Sequence, residues 1–399
     1  IIEDAPATKM IGVIVKNAID GGASDIHIEN TGTEVRVRYR VDGILHTSLR
    51  PNRSFANALV AKVKTLASLK LDEKRKPQDG RFVALVDKGT AHERKVDFRV
   101  STLPTFYGEK VVIRILDPER GVKTLDDVGF SPEHLKTIRE VIKRPHGLIL
   151  MTGPTGEGKS TTLYAMIKEI DREGLNVVSL EDPIEYNIPG MSQSQVHPEI
   201  GYDFATGLRT ILRQDPDVIM VGEIRDAETA KLAIQAALTG HLVFATLHTN
   251  SAIGAVPRLV DMGVDPYLIA PTLIMSMAQR LMQRIVPNTG RAIPVDGSIA
   301  EIIEHEFADL PSKFLEKLPI TNTVYEAQKS DVSESGLHGR IPAVEVFVVD
   351  KELENIILKK PSENDIYDYV RKQGMLTMKD DAIIKCMQGK IPWSDVNTL

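Results

Sequence analysis

Apolar residues recur along this 399-residue chain with two different periods, and the change of period divides it. In 5–20, Ile11, Ile14, Val15, Ala18 and Ile19 fall at helical spacing, and Gly21-Gly22 ends the run. Residues 25–29 and 34–40 then alternate apolar with polar, the pattern of half-buried strands, with Asp42-Gly43 as a turn. The spacing predicts a second helix over about 54–69 and strands at 81–86, 95–100 and 110–116, which close a small α+β unit.

Residues 117–131 read as a linker, with Pro118, Gly121 and Gly129 inside it and Pro132 just beyond. Past it the alternation gives way to continuous apolar or β-branched runs at 147–152, 176–180, 217–221 and 242–246, separated by helical stretches. That succession predicts a parallel sheet flanked by helices. The region 253–286 reads as helical and apolar, and 288–338 as polar and irregular. The tail from 340 holds a strand-like 343–349 followed by short helices.

The first of those buried runs leads into Gly153-Pro154-Thr155-Gly156-Glu157-Gly158-Lys159-Ser160-Thr161. A strand that ends in a glycine loop opening a helix lets consecutive backbone N–H groups wrap a phosphate chain. Lys159 then reaches the outer phosphates and Ser160 can hold Mg²⁺. The chain is therefore expected to bind a nucleoside triphosphate through Gly153 to Thr161.

Phosphoryl transfer to water further needs a carboxylate that orients the water and cations that offset charge on the phosphates. The run 217–221 ends in Gly222-Glu223, a Walker B-like strand end in which Gly222 stands where an aspartate is usual, leaving Glu223 to face the Mg²⁺ shell. A second acidic strand end carries Glu181, Asp182 and Glu185; one of these is expected to activate water, and Glu185 is the choice. Arg209 and Arg213, four apart, would project from one helix face and converge on a phosphate. His248, just after the run 242–246, is placed to sense the γ-phosphate, and His241 precedes the same run.

A net charge of −6 and the lack of a basic stripe argue against nucleic acid or anionic lipid as a partner. The single cysteine, Cys386, leaves no intramolecular disulfide and no cysteine-built zinc site. No stretch of about 18 apolar residues or secretory signal is present, so a cytoplasmic protein is expected.

Four ordered motifs carry a resemblance: the loop from Gly153 to Ser160, Glu181-Asp-Pro-Ile-Glu-Tyr186, Leu212 to Asp226, and Thr239 to Thr249. Together they resemble the P-loop, Asp box, Walker B and His box of the secretion ATPases, the type II secretion and type IV pilus assembly branch above all. Gly22 to Glu29, Lys76 to Arg81 and Asp97 to Pro104 are similar to that family's second N-terminal domain. The resemblance implies a PAS-like α+β domain over 1–116, a linker over 117–131, a RecA-like P-loop core over 132–287 and a helical C-terminal region over 288–399. It also implies that Arg81 and Arg99 reach the nucleotide when the N-terminal domain closes on the core, that Arg280 lies near the site, and that six chains form a homohexamer. ATP, Mg²⁺ and an inner-membrane platform protein are the implied cofactors and partner, with membrane association only through partners and the work done at the cytoplasmic face of the inner membrane.

Three departures stand out. Glu157 replaces a usual serine and adds a negative charge beside the phosphates, of little consequence if its side chain points outward. Residues 288–338 lack paired C-x-x-C motifs, so no zinc is expected. The chain opens at the second N-terminal domain, so the family's first one, which docks on membrane partners, is expected to be absent here. A pilus retraction ATPase of the same superfamily, a DNA-processing P-loop motor and a nucleotide-bound scaffold remain alternatives.

Overall fold

The structure is a computed structural model and describes residues 6–87, 93–117, 123–331 and 333–399. Ala5 of the first expected helix, and Pro118 and Gly121 of the expected linker, lie outside the described residues. The chain divides into two units, Ile1–Gly121 and Val122–Leu399.

In the first unit the predicted alternation becomes an antiparallel sheet of six strands. These are β1 (Asp25–Asn30), β2 (Val35–Val41), β3 (Ile44–Leu49), β4 (Gln78–Val86), β5 (Arg94–Thr105) and β6 (Gly108–Leu116), in the order β3-β2-β1-β6-β5-β4. Ile26, Ile28, Val35, Val37, Phe98, Val100, Val111 and Ile113 point to one face, where the helices Pro6–Asp20 and Ala56–Leu66 complete a core. The intervening residues form the opposite face, where Arg81, Arg99, Arg114, Asp25 and Arg40 stand in register across five strands. The strand β3 was not expected: its residues are largely exposed, so no apolar alternation marks it, and the Asp42-Gly43 turn, with both residues at positive φ, places it against β2.

The second unit is built on a seven-stranded sheet. Its strands are β7 (Gly147–Thr152), β8 (Val177–Glu181), β9 (Ser192–Gln195), β10 (Val218–Ile224), β11 (Leu242–Leu247), β12 (Leu273–Ile285) and β15 (Leu337–Val348), in the order β15-β12-β7-β11-β10-β8-β9. A small hairpin of β13 (Arg291–Pro294) and β14 (Thr323–Glu326) lies apart from it. The central strands are apolar throughout because both faces are covered. Leu148, Leu150, Ile219, Val221, Val243 and Ala245 pack on one side with the helices Phe204–Ile211, Ala227–Leu238 and Ala255–Asp261. Ile149, Met151, Val218, Met220 and Phe244 pack on the other with Lys159–Lys168 and Pro132–Val141.

Several expectations change here. The stretch 253–286 is not helical throughout: after two short helices, Leu273–Ile285 forms β12, parallel to β7 and antiparallel to β15. A short apolar run has no period that separates a doubly buried strand from a buried helix, and only its sheet neighbours decide. The sheet is consequently mixed, and the stretch read as strand-like at 343–349 lies in its edge strand Leu337–Val348, while the short helices expected after it follow. Within the expected linker, Leu125–Val128 is a helix with a Thr124/Asp127 capping box, and Leu125 and Val128 are buried in the second unit's core. The stretch expected to be irregular, 288–338, contains the helix Gly297–Phe307 and the hairpin, which pack with Met378–Met387 around a separate core.

The edge of β15 is closed by side chains. Asp381 accepts the Val344 N–H at 2.9 Å, and Lys385 donates to Pro342 O at 2.5 Å and to Asp381 at 2.7 Å. An ion pair four apart on one helix thus supplies the acceptor and donor that a further strand would offer.

Candidate active site

The loop after β7 turns on three glycines with φ of 136° (Gly153), 87° (Gly156) and 75° (Gly158), a region closed to most side chains. Gly153 also lies against β12, where a Cβ would come 2.7 Å from Gln279 O. Lys159 opens the helix and is buried. Its ammonium donates to Gly153 O at 2.6 Å and Pro154 O at 2.7 Å and has no carboxylate of a described residue within ion-pair distance. Burial lowers its pKa, with Glu223 and Glu157 acting in the opposite direction. A buried cation satisfied only by carbonyl dipoles is a fit for a phosphate anion. Ser160 and Thr161, both half-buried, occupy the first turn of the same helix.

Glu157 does not face the loop's interior. Its carboxylate accepts the Leu281 N–H at 2.6 Å, and Gln279 Nε2 donates to the Glu157 carbonyl at 2.5 Å. The pairing of β12 with β7 ends at Ala278 and Thr152, so Leu281 lies past the end of β7 and Glu157 satisfies its N–H. Gln279 also accepts from Thr162 Oγ1 at 2.9 Å, fastening the loop and its helix to β12. Sequence reasoning missed Gln279, and a lone glutamine in an apolar run gave no signal beyond its polarity.

The end of β10 carries Glu223, whose two oxygens are divided: Oε1 accepts from Arg225 and Oε2 meets His248 Nε2 at 3.2 Å. Burial pushes the Glu223 carboxyl up, but the Arg225 and His248 hydrogen bonds and charges outweigh it and hold the pKa below the usual range. Arg225 also reaches Asp182 at 3.4 Å and so ties the two acidic strand ends together. It lay within the quoted Walker B stretch but had no role there. Gly222 is tightly packed: a Cβ would stand 3.1 Å from Leu180 O and 3.2 Å from Glu181 Cα, both backbone atoms of the neighbouring strand, which would have to give by a few tenths of an ångström.

The three carboxylates after β8 separate by environment. Glu181 is buried and accepts from Tyr164, from Ser179 at 2.6 Å and from Gln193 at 3.0 Å. Burial and the Glu181 carboxylate together raise the pKa of Tyr164. Asp182 is engaged by Arg225. Glu185 is half-buried and makes no ion pair with a described residue.

Other expected residues fall elsewhere. The helix Phe204–Ile211 ends before Arg213, which turns back to donate to Arg209 O at 2.9 Å. Arg209 pairs with Glu228, and among the described residues neither arginine has a hydrogen bond or ion pair to the P-loop. Arg280 follows Gln279 on β12 and belongs to the other face of that strand, since it lines a cavity of about 510 Å³ with Asn250, Glu306, Glu345, Thr377 and Lys379. The residues of β12 that bond to the P-loop are Gln279 and Leu281. His241 hydrogen-bonds Ala236 O at 2.8 Å and finishes the preceding helix. Arg81 and Arg99 face each other across β4 and β5 in the first unit.

A buried P-loop lysine beside a carboxylate held by arginine and histidine is the arrangement of a nucleotide hydrolase on an α/β sheet. The profile of the type II/IV secretion system protein family matches residues 2–398, and the chain belongs to that family, within its secretion ATPases. It is 43% identical over 388 residues to the "Type II secretion system ATPase E" of Vibrio cholerae, covering 97% of this chain and 74% of that protein. The pilus retraction motor PilT solved with ADP aligns with a TM-score of 0.63 at 27% identity, covering 96% of this chain and 94% of PilT. The Legionella pneumophila ATPase DotB aligns with a TM-score of 0.69 at 23% identity over 98% of this chain and 95% of DotB, a likeness of fold.

Proposed function

We propose that this ATPase is the motor of a type II secretion or type IV pilus assembly machine, hydrolysing ATP to ADP and phosphate as a homohexamer. It works at the cytoplasmic face of the inner membrane, bound to a platform protein there. Nucleic acid and zinc have no part in this reading. The observation that carries it is the Lys159 ammonium, buried and held only by the Gly153 and Pro154 carbonyls, next to the Glu223–His248–Arg225 group. The 43% identity to a type II secretion ATPase favours secretion, and the likeness to PilT keeps pilus retraction as the second reading.

In this reading Lys159 and the loop N–H groups from Gly153 to Thr161 bind the phosphates. Ser160, and Glu223 through water, would hold the Mg²⁺, which would supply charge neutralisation at the phosphates. Glu223 stays ionised because Arg225 and His248 hold its pKa down. Glu185 is the water-orienting base, since Glu181 is saturated by Tyr164, Ser179 and Gln193, and Asp182 is paired with Arg225. The first unit is read as the PAS-like domain and the second as the RecA-like core with its C-terminal extension. Arg81 and Arg99 act on the γ-phosphate when the former closes on the latter, and Arg209 and Arg213 act only after leaving the partners they hold here.

Glu185→Gln is expected to keep ATP binding and to slow hydrolysis by roughly 10²- to 10⁴-fold. Glu223→Gln should also slow turnover and shift its Mg²⁺ dependence. Steady-state ATPase assays across a Mg²⁺ series check both; parental kinetics in Glu185→Gln would move the water-orienting role to Glu223.

A further inference from the structure

The segment 248–254 leaves the end of β11 with His248 and is fastened by side chains from three other strands. Thr152, the last residue of β7 before the P-loop, donates to Ser251 O at 3.1 Å. Ser276 of β12 donates to Ala252 O at 2.8 Å. From β15, Glu345 Oε1 accepts the Ala252 N–H at 2.8 Å and the Ile253 N–H at 3.4 Å. Thr249 and Gly254 close the loop on Ser251 at 2.8 and 3.0 Å. His248, the first residue of the loop, follows directly on Leu247 of β11 and meets Glu223 at 3.2 Å.

Glu345 is unusual among these anchors. It is 4% exposed, lies opposite Ala278 of β12 and has no ion-pair partner among the described residues. The charged groups around it are Arg280 of β12, Glu306 of Gly297–Phe307, Glu363 of Glu363–Lys372, and Lys379 and Asp380 of Met378–Met387. Burial pushes its carboxyl up to about 7. An apolar residue would fill this position without that desolvation cost, but it would leave two buried loop N–H groups unsatisfied.

We propose that Glu345 is a positioning residue for ATP hydrolysis: by accepting the Ala252 and Ile253 N–H groups it fixes the loop that presents His248 to Glu223. The inference rests on the reading of His248 and Glu223 as part of the hydrolytic site. It links the edge strand β15 to the chemistry through one hydrogen-bonded loop.

The test compares Glu345→Gln, which keeps a carbonyl acceptor, with Glu345→Leu, which removes it, alongside His248→Ala and the double variant. Each is assayed for kcat and KM with Mg-ATP and for hydrogen exchange at 251–254. The expected result is a kcat lower by about tenfold to a hundredfold in Glu345→Leu with KM within about threefold, faster exchange in the loop, and near-parental values for Glu345→Gln. His248→Ala should be slowed too, and the double variant should be no slower than the slower single one. A parental kcat in Glu345→Leu, or Gln behaving like Leu in both rate and exchange, overturns the proposal. A slowed His248→Ala whose loss multiplies with that of Glu345→Leu overturns the positioning role alone, whereas His248→Ala at the parental rate overturns the underlying reading of His248.

Discussion

Lys159 and Glu345 are both buried ionisable groups, yet the structure treats them differently. Lys159 donates to two loop carbonyls and is set to exchange them for phosphate oxygens. Lys159→Ala should therefore abolish tight ATP binding, because backbone N–H groups cannot replace a point charge on the outer phosphates, while thermal unfolding stays close to the parental midpoint. Equilibrium binding of a fluorescent ATP analogue, read beside a melting curve, checks both halves. Glu345 has a pKa raised from 4.5 to about 7. The folded chain thus holds a proton there that the unfolded chain has released, and stability falls as pH rises from about 4.5 to 7, by about 3 kcal/mol in all. Denaturant unfolding over that range should show this slope in the parent and its loss in Glu345→Gln, the difference between the two curves isolating the one group.

At the scale of elements, β10 and β8 lie so close at Gly222 that a Cβ would press on Leu180 O and Glu181 Cα at 3.1 and 3.2 Å. Gly222→Ala is expected to cost about 1–3 kcal/mol, because the obstructing atoms are backbone and cannot rotate away. The ATPase rate should fall as well, since Glu223 follows directly on the displaced strand. Urea midpoints and turnover measured on the same preparation decide it; an undisturbed midpoint would show that the two strands separate at no cost. Glu157 belongs to the same scale. Its identity as an acid was plain from sequence, but its direction depends on β12 running past the end of β7 and exposing the Leu281 N–H.

For the whole molecule, the two units carry different parts of the proposed mechanism. Arg81 and Arg99 are cross-strand neighbours on the face of the first sheet that its helices leave uncovered. If they offset charge in the transition state, Arg81→Ala or Arg99→Ala should lower kcat by roughly 10³-fold or more and leave ATP affinity within a few-fold. Single-turnover hydrolysis and equilibrium ATP binding separate these effects, and parental turnover in both variants would remove the closing step from the mechanism.

Sequence alone determined the elements whose pattern is local. The strands bearing the P-loop and Glu223, the helix behind Lys159 and the glycine loop between were legible because doubly buried strands are continuously apolar and a phosphate loop needs glycines at fixed spacing. Tertiary structure decided what depends on neighbours. It made Leu273–Ile285 a strand by placing it between β7 and β15, ended a helix before Arg213, and put Arg280 in a cavity apart from the P-loop. It engaged Glu181 and Asp182 while leaving Glu185 without an ion pair among the described residues, and gave Arg225, Gln279 and Glu345 contacts that no motif announced. The reason is physical: a hydrogen-bond partner from another strand leaves no mark on the period of the segment that receives it.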